Sequence, residues 1–347
     1  MQKTRNSRGI PEDYLISEHA KLSRLKEVAQ HTYFYRRYLS IEDIHDYPRP
    51  EFHVAQLKHD TQRQALLQIR KDEGFKDPCG GSSDPHNLSL VWWSLAVGTE
   101  EIQEAEARLL KKTYPKQTEE QAAKQKSFLW RFATSAAFSE KSIFGPYRFT
   151  FMVEEVLEAY SNQFCSGAPP IMRVFKTSLY KQEVVHVVLV HSPANQELFS
   201  KYPLLPRDDP DAVCTYKDGR FIWRPEAMCE THRYKLIQKP NENQMAYKDQ
   251  QSEVFYVWDN VAIALHVEQG QVLKFDCDLL KEKITFCEKH PAISLSNSHF
   301  DDFKAAEALV EDLWPDSGFQ LKEKLSLEQH FKEEPKEEPM EHEDSQE

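Results

Sequence analysis

Three separated stretches carry side chains whose types could act together. The first is Phe52-His53-Val54-Ala55, followed by the apolar run Ala65-Leu66-Leu67-Gln68-Ile69 and then Glu73-Gly74-Phe75. The second is Val91-Trp92-Trp93-Ser94, ahead of a segment rich in Ala and Glu. The third runs from Ser252 to Asp259 and holds Glu253 among aromatic and β-branched residues. Together they supply an imidazole, two indoles and a carboxylate. A carboxylate fixed in a dry pocket stabilises positive charge that develops during bond cleavage. An aromatic face binds a flat cation. The same residues also have plain structural readings. His53 suits a partly buried strand, Trp92 and Trp93 sit in an apolar strand where at least one belongs to the core, and Glu253 reads equally as the exposed first residue of a strand.

Other chemistries find less support. The chain has no GxGxxG after a strand and no P-loop, so kinase and nucleotide-dehydrogenase readings fall. A GxSxG nucleophile elbow is missing as well. The six cysteines form no CxxC pair, and Cys229 with His232 is only half of a metal site. No metal is expected. Their wide scatter fits reduced thiols, hence a location in nucleus or cytoplasm. His186 and His191, five apart in a valine-rich strand, point to opposite faces and read as structural.

Composition bounds the body that must position these groups. The 347 residues are 40% apolar and 12% aromatic, enough for a substantial core. From Lys322 to Glu347 there are 10 acidic and 4 basic residues, so that segment carries half of the net charge of -12. The rest is near-neutral for its length, so overall charge does not support binding to nucleic acid or to an anionic membrane. No apolar run approaches a membrane span, and the polar, basic start has no apolar stretch behind it as a signal peptide would.

Periodicity predicts a leader over residues 1–12 and a helix over 14–38 that ends in the aromatics Tyr33, Phe34, Tyr35 and Tyr38. A short strand is expected around His53, a helix over 61–71 stopped by a left-handed Gly74, a strand over 88–97 and a helix over 100–112. Further helices are expected over 122–137, 153–164 and 303–314. Strands are expected over 147–152, 171–180, 183–191, 231–238, 253–258, 261–267 and 272–275. The valine run in 183–191 predicts burial on both faces. Helices and strands alternate early and strands dominate later, the pattern of an α+β fold. One globular domain is expected over 13–320, with an acidic tail over 321–347 too polar to fold.

With its three stretches in this order, the chain resembles the poly-ADP-ribose polymerase (PARP-like) type of ADP-ribosyltransferase. Such domains open with a strand ending in a His, then a helix leading to Gly-Phe. They continue with an aromatic-Ser strand and carry a late Glu in a context like Glu-Tyr-Ile-Val-Tyr-Asp. The resemblance rests on short anchors at residues 51–75, 91–94 and 252–259. It implies an ADP-ribosyltransferase-like split sheet with flanking helices. It also implies that His53 would bond the adenosine ribose of NAD, Trp92 or Trp93 would stack on nicotinamide, and Glu253 would be the catalytic carboxylate. Two residues depart from the pattern. Val54 stands where the family has glycine, and tryptophan stands for the stacking tyrosine. Both crowd an NAD site. The resemblance therefore also extends to pseudo-enzymes of the TASOR type, non-catalytic modules that engage protein partners. Three readings follow: such an interaction module without a cofactor, in nuclear regulation; an active, NAD-using transferase; or an unrelated scaffold domain.

In the tail, Phe331-Lys332-Glu333-Glu334 and Pro335-Lys336-Glu337-Glu338 resemble SUMO acceptor sites, although a Glu-rich tail places lysines beside glutamates by composition alone. The resemblance predicts that Lys332→Arg with Lys336→Arg abolishes slow-migrating SUMO conjugates on an immunoblot. An unchanged ladder removes the idea.

Overall fold

A computed structural model describes residues 1–5, 11–29, 38–77, 88–180, 182–251, 253–289 and 302–315. The expected tail, with Lys332 and Lys336, lies outside the described residues, as do Tyr33, Phe34 and Tyr35. In chain order the strands are β1 (Gln2–Arg5), β2 (Pro11–Ile16), β3 (Phe52–Val54), β4 (Gln56–Thr61), β5 (Gly74–Phe75) and β6 (Leu90–Ala96). They continue with β7 (Lys141–Ser142), β8 (Tyr147–Met152), β9 (Ile171–Tyr180), β10 (Glu183–His191), β11 (Cys214–Lys217) and β12 (Arg220–Trp223). The last are β13 (Tyr234–Lys239), β14 (Gln244–Asp249), β15 (Trp258–His266), β16 (Leu273–Lys274), β17 (Ile284–Phe286) and β18 (Glu288–Lys289).

The fold is mixed α and β. Nine strands form one sheet in the order β1-β2-β9-β10-β15-β6-β4-β8-β17, and β11-β12-β3 form a second, smaller one. Within the large sheet β10 runs parallel to β15 and antiparallel to β9. The valine run explains that central place. Val188 and Val190 enter the main core on one face, while Val187 and Leu189 pack with Phe175, Phe199 and Tyr202 on the other. A strand with no polar face is stable only when covered on both sides.

The helices bury one stripe each. Leu66 and Ile69 of Arg63–Asp72, Ile102, Ala105 and Leu109 of Thr99–Thr113, and Val153, Val156 and Tyr160 of Val153–Phe164 all enter the core. Spacings of three and four put such residues on one face.

Several expectations are corrected. Within the expected leader, residues 2–5 and 11–12 are paired backbone: β1 pairs with β2, and β2 adds to β9. The helix expected from residue 14 begins only at Leu22, as Leu22–Val28, because residues 11–16 use their backbone in the sheet. The helix expected over 122–137 is also missing. A short helix, Glu119–Ala123, is followed by a single 3-10 turn, Leu129–Arg131. The buried Glu106 carboxylate accepts the N–H groups of Phe128 and Leu129 at 2.8 and 2.6 Å, fixing that turn. Around residue 255 there is only an isolated bridge to Thr231, and the strand begins at Trp258.

The stop after Arg63–Asp72 has a different cause from the expected one. Glu73 takes the left-handed conformation, with φ of 53°. Gly74 is required by close packing, since a Cβ there would lie 2.2 Å from the carbonyl oxygen of Leu273 on β16. Gly74→Ala should therefore destabilise the protein by about 3 kcal/mol in urea unfolding. A loss under 0.5 kcal/mol would show that β16 yields freely.

Candidate functional site

His53 lies on β3, opposite Ile222 of β12. Its Nε2 sits 2.8 Å from Glu51, whose other oxygen takes Arg224 at 2.6 Å. Its backbone N–H donates to Glu101, which is itself ion-paired with Arg108. The imidazole is thus one member of a half-exposed charged network on the small sheet.

The strand that leads into helix Arg63–Asp72 and the Gly74-Phe75 stop is β4, not β3. Its histidine is His59, which the sequence reading passed over. The Nδ1 of His59 is 2.8 Å from the carbonyl of Trp92, and the ring meets Phe75 at 4.9 Å and Trp93 at 5.6 Å. Burial lowers its pKa, only partly offset by the Trp92 carbonyl, so this imidazole is neutral at pH 7. The overlooked signal was its position: His59 stands directly before the helix, whereas a whole strand separates His53 from it.

The two indoles occupy opposite faces of β6, as alternation requires. Trp93 is 1% exposed and packs edge-on to Phe75 at 4.8 Å and Phe151 at 5.6 Å. Its indole N–H is buried without an acceptor. Trp92 is half-buried on the other face, where the Lys176 ammonium lies 6.0 Å from its ring and 5.4 Å from that of Tyr14.

Glu253 is outside any strand. Its side chain is 47% exposed, with Arg233 at 3.9 Å. It lines an open groove with Tyr38, Ile41, Gln182, Val254 and Phe255. Each of the four predicted site residues therefore has its own partners: Glu51 for His53, Lys176 for Trp92, Phe75 for Trp93 and Arg233 for Glu253. The contacts join His59 to Trp93, and they do not join His53, Trp92 or Trp93 to Glu253.

The third stretch contributes a buried acid instead. Asp259 is 1% exposed, and its Oδ2 accepts the N–H groups of Glu226 at 2.7 Å and Ala227 at 3.2 Å. Its Oδ1 is unpaired, as is the hydroxyl of nearby Tyr47. Burial pushes the carboxyl up to about 7 against the two N–H donors, and Glu226 adds to the rise. The Tyr47 ring meets His232 at 5.2 Å, and His232 meets Tyr256 at 5.3 Å. Burial lowers the His232 pKa to about 4, with smaller contributions from His45 and Arg49. The Cys229 thiol donates to the carbonyl of Phe132 at 2.8 Å. Among the described residues no group of three or more His, Cys, Asp or Glu could hold a metal ion.

The strand histidines have structural partners. His186 is buried against His19, with ring centroids 5.5 Å apart. Arg173 donates to the Nε2 of His191 at 2.9 Å, so the proton of this ring sits on Nδ1 and donates to the carbonyl of Ser192 at 2.8 Å.

Comparison of the chain with family models, with curated proteins and with solved structures returns no match. No helix among the described residues is long and apolar enough to cross a membrane.

The Asp259 environment has a pH consequence. An unfolded Asp titrates near 4, so between about pH 4 and 7 the folded state keeps a proton that the unfolded state has lost. The stability this carboxyl contributes is complete below pH 4 and is lost as pH rises through 7. Asp259→Asn should abolish that decline and gain on the order of 4 kcal/mol relative to wild type at pH 8. Parallel stability–pH profiles for the two proteins would refute the assignment.

Proposed function

We propose that this chain is a non-catalytic interaction module on a diverged PARP-like, ADP-ribosyltransferase-type α+β fold, of the TASOR pseudo-enzyme kind, acting on protein partners in the nucleus or cytoplasm without a cofactor. The observation that carries the reading is the separation of Trp93 from Glu253. The indole nearest a histidine is sealed in hydrocarbon, and the late glutamate stands in an open groove beside Phe255, which is 54% exposed. A carboxylate in water stabilises an oxocarbenium-like transition state poorly, because the solvent screens it. An exposed aromatic beside apolar and polar side chains suits protein recognition. The division into a nine-stranded and a three-stranded sheet supports the split-sheet part of the proposal.

The active-transferase alternative draws on a different observation, the contact of His59 with Trp93. It still requires Glu253 to reach that pair.

Calorimetry at millimolar NAD separates the two readings. The proposal expects no binding heat and no label after incubation with labelled NAD. Saturable heat together with incorporated label that Glu253→Ala abolishes would establish the transferase reading in its place.

A further inference from the structure

Five arginines of the described body, Arg24, Arg108, Arg148, Arg224 and Arg233, each face a carboxylate, and Arg49, Arg70 and Arg173 each donate to a backbone carbonyl. Arg131, in the turn Leu129–Arg131, is different. Its guanidinium lies 3.8 Å from the ring centre of Trp130, 5.3 Å from that of Tyr247 and 5.5 Å from that of Tyr234. Its Nε is buried without an acceptor. Its Nη1 donates only a long bond, 3.4 Å, to the Tyr234 hydroxyl. Among the described residues no carboxylate lies within ion-pair distance of it. The rings fix the guanidinium and remove part of its hydration while leaving its charge uncompensated. Such a group favours an anion brought from outside.

We propose that Arg131, boxed by Trp130, Tyr234 and Tyr247, anchors a binding site for side-chain carboxylates of an acidic peptide segment. The hydrogen-bond roles fit. Arg131 donates to the Tyr234 oxygen, which leaves the phenol O–H to donate, beside the Nη groups, to a carboxylate. Stacking on Trp130 holds the planar fork in one orientation, so little rotamer freedom is lost on binding. All three rings and Arg131 are half-buried, so the box opens to solvent at one side.

The surrounding charge points the same way. Arg233 lies over Tyr234 at 5.5 Å and is held only loosely, by Asp249 at 3.3 Å and Glu253 at 3.9 Å. On the outer face of the β13–β14 hairpin, Lys235 and Lys248 stand directly opposite each other, both exposed. These cations lie on the face away from the box and act by steering. Nucleic acid is the less suitable occupant, because Arg131 itself covers the Trp130 face on which a base would stack.

This inference gives the interaction-module reading a partner chemistry and rests on it. Through Arg233 the box adjoins the groove that holds Glu253 and Phe255.

Fluorescence anisotropy with a labelled oligoglutamate peptide tests it on the full chain, with oligoglutamine and a single-stranded oligodeoxynucleotide as controls. The glutamate peptide should bind, and weaken steeply as salt rises. Arg131→Gln should weaken it at least about tenfold. Should that variant loosen the hairpin, Lys235→Glu with Lys248→Glu alters only outward side chains and should still weaken binding several-fold. Equal binding of oligoglutamine, full affinity in both variants, or binding of the oligonucleotide alone would overturn the inference. NAD calorimetry is unaffected by any of these results, so failure of the acidic-peptide site and failure of the non-catalytic reading remain distinguishable.

Discussion

The packing of Trp93 against Phe75 constrains everything else in this molecule. Phe75 is 1% exposed and touches Trp93, His59, Phe149, Phe151 and Phe275. It reaches that position only because Gly74 lets the chain approach the backbone of Leu273. Large aromatics bury more area than any other side chains and dominate core energetics. Here they converge on the sheet face that the proposed resemblance would give to a nucleotide pocket. The cluster makes a stable centre and at the same time fills it. Opening a nicotinamide-sized hole would cost several kcal/mol of packing, on the scale of a large-to-small core substitution.

Buried polar groups act around this centre as clamps. Arg148 holds Asp60 with two bonds of 2.7 and 2.8 Å, joining β8 to β4, and donates to the carbonyl of Ser139 at 2.9 Å. Lys58, beside that pair, donates to the carbonyls of Ala136 and Ser139. Glu106 and Asp259 do the same work for the backbones at 128–129 and 226–227. A charge removed from water is tolerated when it replaces its hydration with such bonds. Arg131 and the Oδ1 of Asp259 break that rule. The proposed recognition surface lies on the side of the β13–β14 hairpin, where Arg131 meets Tyr234 and Tyr247.

What could be read from the chain depended on whether local pattern or distant partners decided the outcome. The valine strand β10, its neighbour β9 and the helix Val153–Phe164 were legible to the residue, because β-branched runs mark the two strands and an apolar stripe marks the helix. Residues 122–137 were not, because the partner that fixes their backbone is Glu106, more than 20 residues away. The N-terminal strands were hidden for a similar reason. Pro11–Ile16 becomes a strand by joining β9, over 160 residues distant. Among the site residues, the strand–helix–Gly-Phe order was visible, but two histidines stood near it. Only the break between β3 and β4 at Ala55 shows that His59, not His53, belongs to the strand that enters the helix. The exposure of Glu253 depends on where β15 begins, and the aromatic run before Trp258 masks that start.

On the proposed reading, the Trp93 indole, packed against Phe75, Phe151 and His59, stays closed to solvent whether or not NAD is present. Fluorine NMR of fluorotryptophan-labelled protein reads this directly, with the Trp93 signal assigned by its loss in Trp93→Phe. The account predicts a Trp93 resonance insensitive to exchange of H2O for D2O and unmoved by millimolar NAD. A solvent-sensitive Trp93 signal that shifts saturably with NAD would contradict it.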